Sequence, residues 1–349
     1  MSPFRLTALF MVLLPMLSLA QVTKTKEIKK SYPVSKGNYL TIDSRFGDVH
    51  IETWLQDEVA VTISIEVTKR NEAKAGQYLD NITIDVDDSS PNDLSLKTLI
   101  AGDMNNGKND RVHIEYRLKV PKYTHVKVTN RYGNLFLADS EGKVWVEVTY
   151  GNIKLGELTG EVDLQLTYGN GEVDKVSKGE ITARYSNLEI TNAGKVEVAN
   201  SYSTIAFGNA NDVDLANKYG NMTWESIYKL RGYSKYGKVK IDKLYRALVF
   251  KVTYGGGLAV DWIAKDFTGI DIESAYATVT LRFQQGMSAM LDAEMKYCDL
   301  KYAGMALDYS YIDKSGSMKY YKGRLGQGDY AAKINIDAAY GNVKLLYAN

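Results

Sequence analysis

Chemistry at a protein surface needs ionisable or nucleophilic side chains at workable spacing, and this sequence offers few. Its three histidines, His50, His113 and His125, share no metal-ligand spacing. Cys298 is the only cysteine. That excludes a disulfide framework and any zinc site built on paired thiolates, and a lone thiol of this kind reads as a buried small residue rather than a nucleophile. Glu147, Asp163 and Glu189 fall on outward positions, flanked by Lys and Thr, without the recurrent acidic pair that polysaccharide lyases and hydrolases require. No cofactor is implied. What does recur is a basic residue directly before an aromatic, at Arg45, Arg131, Arg184, Lys218, Lys235 and Lys296. If these align, they form a discontinuous basic stripe suited to an anionic glycan or a lipopolysaccharide phosphate. Interleaved with Thr149, Thr167 and Thr253, they also fit an ordinary solvated face. Trp145 and Phe136 sit on outward parity, where a sugar or a protein contact is possible.

The elements that position these residues follow from a repeat. An aromatic, then a small residue, then Asn or Asp recurs at Phe46, Tyr132, Tyr150, Tyr168, Tyr185, Tyr202, Tyr219, Tyr236, Tyr254, Tyr276, Tyr297 and Tyr340. From Tyr132 to Tyr254 the steps are 18, 18, 17, 17, 17, 17 and 18 residues, too short for a helix pair or a propeller blade. Each unit is one thin β-coil. Before each aromatic the apolar residues alternate in phase with it, as in Val144, Val146 and Val148 before Tyr150, so the tyrosine is expected on the buried face. After it the apolar pair comes three and five residues later, as in Ile153 and Leu155. That odd step demands a corner, expected at the following Gly and Asn because those residues tolerate positive φ most cheaply. The corner motif is fullest at Tyr132-Gly133-Asn134, Tyr150-Gly151-Asn152, Tyr168-Gly169-Asn170, Tyr219-Gly220-Asn221 and Tyr340-Gly341-Asn342.

Coils of equal length stack in parallel at about 4.8 Å per rung, giving a rod on the order of 50 Å with a tyrosine stack inside the corner and an Asn ladder beside it. Inward polar residues two before the aromatic, Asn200, Asn217, Ser234 and Ser274, need ladder bonding to survive in the core. Acidic residues at the Asn position, Asp48 and Asp299, hint at a calcium β-roll, but neutral Asn ladders hold such corners without metal. The expected fold is therefore all-β, a single-stranded parallel β-solenoid with 17–18-residue coils.

Residues 1–20 read as a secretory signal peptide, with Arg5 before an apolar run and Ser18-Leu19-Ala20 before cleavage at Gln21. Residues 21–130 form a wider N-terminal β cap and first coil, with a mobile hairpin loop at Gly102 to Arg111, and residues 131–349 the solenoid repeats with an irregular insertion at 304–333. The last rung ends almost at Asn349, leaving that side thinly capped and open to self-association by edge addition. With 43 Lys+Arg against 42 Asp+Glu, the net charge of +1 argues against nucleic acid, and no later segment approaches a transmembrane length.

One stretch is similar to a known family. Leu118-Lys119-Val120-Pro121, then Val126-Lys127-Val128 and Asn130-Arg131-Tyr132-Gly133-Asn134, repeated as Thr149-Tyr150-Gly151-Asn152-Ile153 and Thr167-Tyr168-Gly169-Asn170, resembles the bacterial putative-adhesin family. The resemblance runs from about Ile42 to the C-terminus. It implies an exported β-solenoid of the cell envelope, in the periplasm, outer membrane or extracellular space, with no catalytic activity and no family site residues to carry over. The expected function is a non-enzymatic surface for protein or glycan binding. The alternatives are a structural or self-assembly module of the envelope, or a carbohydrate-active β-helix enzyme whose acidic cluster only folding would reveal.

Overall fold

The computed structural model describes residues 21–90, 92–102, 110–302, 304–314 and 316–348; the leader and most of the loop from Gly102 to Arg111 lie outside them. The chain is a β-solenoid. Strands such as Asn170–Arg184, Asn187–Ser201, Thr204–Lys218 and Asn221–Lys235 each take up 15 residues of a coil, all but the corner, and pair in parallel and in register with their neighbours. In one coil Ser203, Ile205 and Phe207 point inward, then Ala210 alone, then Val213, Leu215 and Asn217. The parity breaks after 207, after 210 and at Tyr219 mark three bends. Two flat sides thus meet at the aromatic corner and at a short side opposite, and the core is a stack of Val, Ile and Leu columns.

The corner differs from expectation in its handedness of roles. All twelve repeat aromatics have φ between 51° and 62°, while none of the glycines that follow them is left-handed. The turn is made at the tyrosine itself, and this swings the ring out of the inward line. Tyr132 to Tyr340 along the column are about half exposed rather than buried. Glycine follows for a different reason, the closeness of the neighbouring rung. A Cβ on Gly133, Gly151 or Gly169 would lie 1.7, 1.8 or 1.9 Å from the carbonyl oxygen of the glycine one rung below. The backbone ladder continues through the bend: Tyr150 N–H donates to Thr167 at 3.0 Å and Tyr168 N–H to Arg184 at 3.1 Å.

Both ends are built by segments distant in sequence. The strands Tyr39–Arg45 and Val49–Trp54 of the Phe46 rung pair on one side with His125–Arg131 and Leu135–Leu137. On the other side they pair with Asp93–Ile100 and Arg111–Pro121. From there the sheet turns antiparallel: Glu58–Lys69 and then Val22–Pro33 extend one edge, and Ile82–Ser90 the other, with the helix Glu72–Asp80 packed beside them. At the C-terminal end the rung order departs from chain order. Ala332–Ala339 lies between Gly269–Ala275 and Ser288–Lys296, parallel to both, so the Tyr340 rung is interior and cannot be an open edge for self-association. The irregular insertion at 304–333 lies outside the stack of rungs. Its strands Leu307–Asp313 and Met318–Gly326 pair antiparallel with each other, and the second pairs antiparallel with Ser288–Lys296, capping that end.

Candidate functional site

Three outward features are set by rung stacking. The first is the aromatic corner. Rings from Phe46 through Tyr276 stack in chain order, then Tyr340, then Tyr297, with centroids 4.7–5.4 Å apart and planes within 23° of parallel. Beside them runs a hydrogen-bonded amide ladder. Asn134 donates its N–H and Nδ2 to Asp48 Oδ1 at 2.8 and 3.0 Å. Asn152 N–H donates to Asn134 Oδ1, Asn170 to Asn152 Oδ1, and Asn187 Nδ2 to Asn170 Oδ1, at 2.9–3.1 Å. With glycine between the two columns, the first four rungs leave a groove of about 500 Å³ floored by backbone. Inside the corner a second ladder forms: Asn200 Nδ2 donates to Asn217 Oδ1 at 3.0 Å and Asn217 Nδ2 to Ser234 Oγ at 2.8 Å. It satisfies these groups only in part, since Asn200 Oδ1 and Ser274 Oγ have no partner.

The second feature is the basic stripe. Arg45, Arg131, Arg184, Lys218, Lys235 and Lys296 are all exposed and occupy one register column, in which Arg45 adjoins Arg131 and Lys218 adjoins Lys235. Thr149, Thr167, Ser201, Thr253, Ala275 and Ala339 fill the remaining rungs.

The third, not visible within any single repeat, lies on the outer face of the strands that precede the corner. Here Lys127, Trp145, Asp163, Glu180, Glu197 and Asp214 stack in one column, giving four consecutive carboxylates. Asp214 is held by Arg231, whose Nε donates to Oδ1 at 2.8 Å; that bond keeps its carboxyl below the usual range, against the opposing effect of burial. Asp163, Glu180 and Glu197 form no ion pair with a described residue. Like charges directly opposed across a ladder are unfavourable for folding alone. Spacing could have revealed this column, because Asp163, Glu180, Glu197 and Asp214 recur at the coil length.

Two residues before the column, Tyr39, His125, Lys143 and Glu161 stack likewise, and the two columns border a cavity of about 600 Å³. Tyr39 leans on His125 with centroids 4.6 Å apart, and Lys127 Nζ sits 4.2 Å from the centre of Trp145. His125 Nδ1 accepts from the Lys143 N–H at 2.8 Å, so a neutral ring carries its proton on Nε2.

The remaining sequence candidates have local partners. Asp48 serves the amide ladder, while Asp299 is ion-paired with Lys319, a bond that lowers the Asp299 carboxyl. Cys298 is half buried, its Sγ 3.3 Å from the Ala338 carbonyl, and burial pushes its thiol up. His50 faces Phe136 at 6.1 Å. Among the described residues, no group of three or more His, Cys, Asp or Glu is placed to hold a metal ion, and no helix is long and apolar enough to cross a membrane.

No family model and no curated protein matches the chain. Among solved structures it is similar to a putative cell adhesion protein from Clostridium sporogenes, at 11% identity and TM-score 0.20, over 93% of this chain and 100% of that one. It is also similar to a putative adhesin from Bacteroides fragilis, at 12% identity and TM-score 0.24, over 92% and 97% of the two chains. A putative adhesin from Parabacteroides merdae matches at 12% identity and TM-score 0.30, over 92% and 96%.

Proposed function

We propose that this protein is a non-enzymatic, adhesin-like component of the cell envelope, exported and then held in the periplasm, the outer membrane or outside the cell. Its solenoid presents a rigid surface for protein or glycan binding. The observation that carries this reading is the cavity of about 600 Å³ where Tyr39 and Trp145 stand on the outer face near unpaired carboxylates. Aromatic rings offer sugars an apolar platform while carboxylates and an imidazole N–H meet their hydroxyls. In a glycan array followed by titration calorimetry, Trp145→Ala and Tyr39→Ala are expected to weaken the best ligand at least tenfold. No binding to any sugar or envelope component at high protein concentration would overturn the reading.

A second reading, a carbohydrate-active enzyme, draws on the column Asp163, Glu180 and Glu197, since rungs about 4.8 Å apart bring carboxyls near the separation used by retaining glycosidases. Its test is release of reducing ends from a bound polysaccharide, abolished in Glu180→Gln. Binding without turnover is the expected result.

A further inference from the structure

The aromatic corner carries more unused hydrogen-bonding capacity than any structural role requires. Its eleven tyrosines hold φ between 51° and 62°, a region that costs roughly 1–2 kcal/mol per residue for anything but Gly and, less so, Asn. Ring stacking returns about 0.5–1.5 kcal/mol per pair. Phenylalanine would stack equally well, yet it occurs only at the end of the column, at Phe46. The tyrosine hydroxyls are therefore unexplained by stacking, and none of the eleven donates to or accepts from a described side chain or backbone group. Sugar rings cannot stack here, because every interior ring has both faces covered by its neighbours. What the column offers is a row of phenol edges repeating every 4.7–5.4 Å, close to the length of one ring in an extended, equatorially linked polysaccharide.

Charge selects among such ligands. From the Tyr185 rung to the Tyr236 rung, the corner is flanked by Arg184, Lys218, Lys235 and Lys238, all exposed and none in an ion pair with a described residue. On the side before the aromatics the next outward column along those rungs reads Thr182, Ala199, Ala216 and Tyr233, without a carboxylate; on the side after them it reads Glu189, Ala206, Thr223 and Lys240, with one carboxylate, at the Tyr185 rung. Lys235 Nζ lies 5.3 Å from the Tyr236 ring centre and 6.0 Å from that of Tyr254, so this cation stands beside the aromatic row.

We propose that the aromatic corner is a linear track for an extended anionic polysaccharide lying along the solenoid axis. The tyrosine hydroxyls bond successive sugar rings, and Arg184, Lys218, Lys235 and Lys238 take the carboxylates. This deepens the glycan-binding reading but uses a site separate from the Trp145 cavity.

The test titrates the mature full-length chain with β-1,4-linked mannuronate oligomers, from disaccharide to octasaccharide, and with neutral cello-oligomers of equal length. Affinity for mannuronate is expected to rise at least tenfold from disaccharide to hexasaccharide and to fall with salt. The double variant Lys218→Gln/Lys235→Gln should weaken the octasaccharide at least fivefold. The triple variant Tyr202→Phe/Tyr219→Phe/Tyr236→Phe removes hydroxyls while keeping the stack, and should weaken it severalfold at unchanged melting temperature. Trp145→Ala should leave it unchanged. Length-independent affinity, equal affinity for cello-oligomers, or unaltered binding in the corner variants would each overturn the track. If Trp145→Ala alone abolishes glycan binding, the track fails and the cavity reading stands; if no glycan binds at all, both fail.

Discussion

At the corner, the residue that bends the chain and the residue that permits close stacking are neighbours with different jobs. A Cβ on Gly169 would meet the Gly151 carbonyl at 1.9 Å, and backbone cannot yield as a side chain can. Gly169→Ala should therefore cost more than about 2 kcal/mol in urea denaturation, whereas Tyr168→Asn, which suits left-handed backbone, should cost less than about 1 kcal/mol. The buried pair Asn200 and Asn217 supplies a second case. Removing the Asn217 amide takes the donors from the Ser234 hydroxyl and the Gly220 carbonyl, while Asn200 Nδ2 keeps the Ser203 carbonyl at 3.1 Å, and Asn217→Ala is expected to cost roughly 1–3 kcal/mol by the same measurement. Period, parity and inward Asn positions were legible because they are chemical patterns along the chain. The left-handed residue was not, because Tyr, Gly and Asn all stand at the bend and the clash that selects glycine arises from a rung about 18 residues away.

Among the elements, the C-terminal hairpin shows how a cap can be tied to a corner. Lys319 on the strand Met318–Gly326 pairs with Asp299 beside the Tyr297 corner, and the Tyr297 N–H donates to the Ser317 carbonyl at 2.8 Å. The bond to Lys319 depresses the Asp299 carboxyl. A depressed acid stabilises the folded hairpin above its ordinary titration range, about pH 3.9, and that contribution is lost as pH falls through the lowered folded value. Protection of the amides across Leu307–Asp313, corrected for intrinsic exchange, should fall in that acid window, and Lys319→Ala should remove that fall. Asp299 is exposed, so the effect on global stability should be small. The sequence marked residues 304–333 as irregular but not as a hairpin, because its partner strand is named only by antiparallel register with Ser288–Lys296, which no local pattern encodes. Charged edge strands follow at the other end, where Lys24, Lys26, Lys29 and Lys30 line Val22–Pro33 and Asp85 and Asp87 line Ile82–Ser90, a composition that discourages edge pairing.

For the whole molecule, a balanced composition hides segregated charge. The net charge of +1 excludes a uniformly basic surface, but stacking sorts the residues into columns, so unpaired carboxylates line one face while unpaired cations border the aromatic corner. Ligands at the two places should respond oppositely to charge-reversing variants in salt-dependent binding. The rung order carries a further prediction. Removing Ala332–Asn349 takes out an interior rung, so the truncated chain should lose exchange protection over Ser288–Lys296 and Met318–Gly326 while the rungs before Tyr254 keep theirs. The same arrangement separates the order of synthesis from the order of assembly. A chain delivered from its N-terminus can add rungs one at a time through Tyr276, but the next rung in space arrives only after residues 288–326. Residues 288–326 must wait without their parallel neighbour, and growth finishes by closing a gap instead of extending an end. The finished C-terminal face thus depends on residues synthesised after the strands it is closed against, since Ser288–Lys296 gains its parallel neighbour only from Ala332–Ala339.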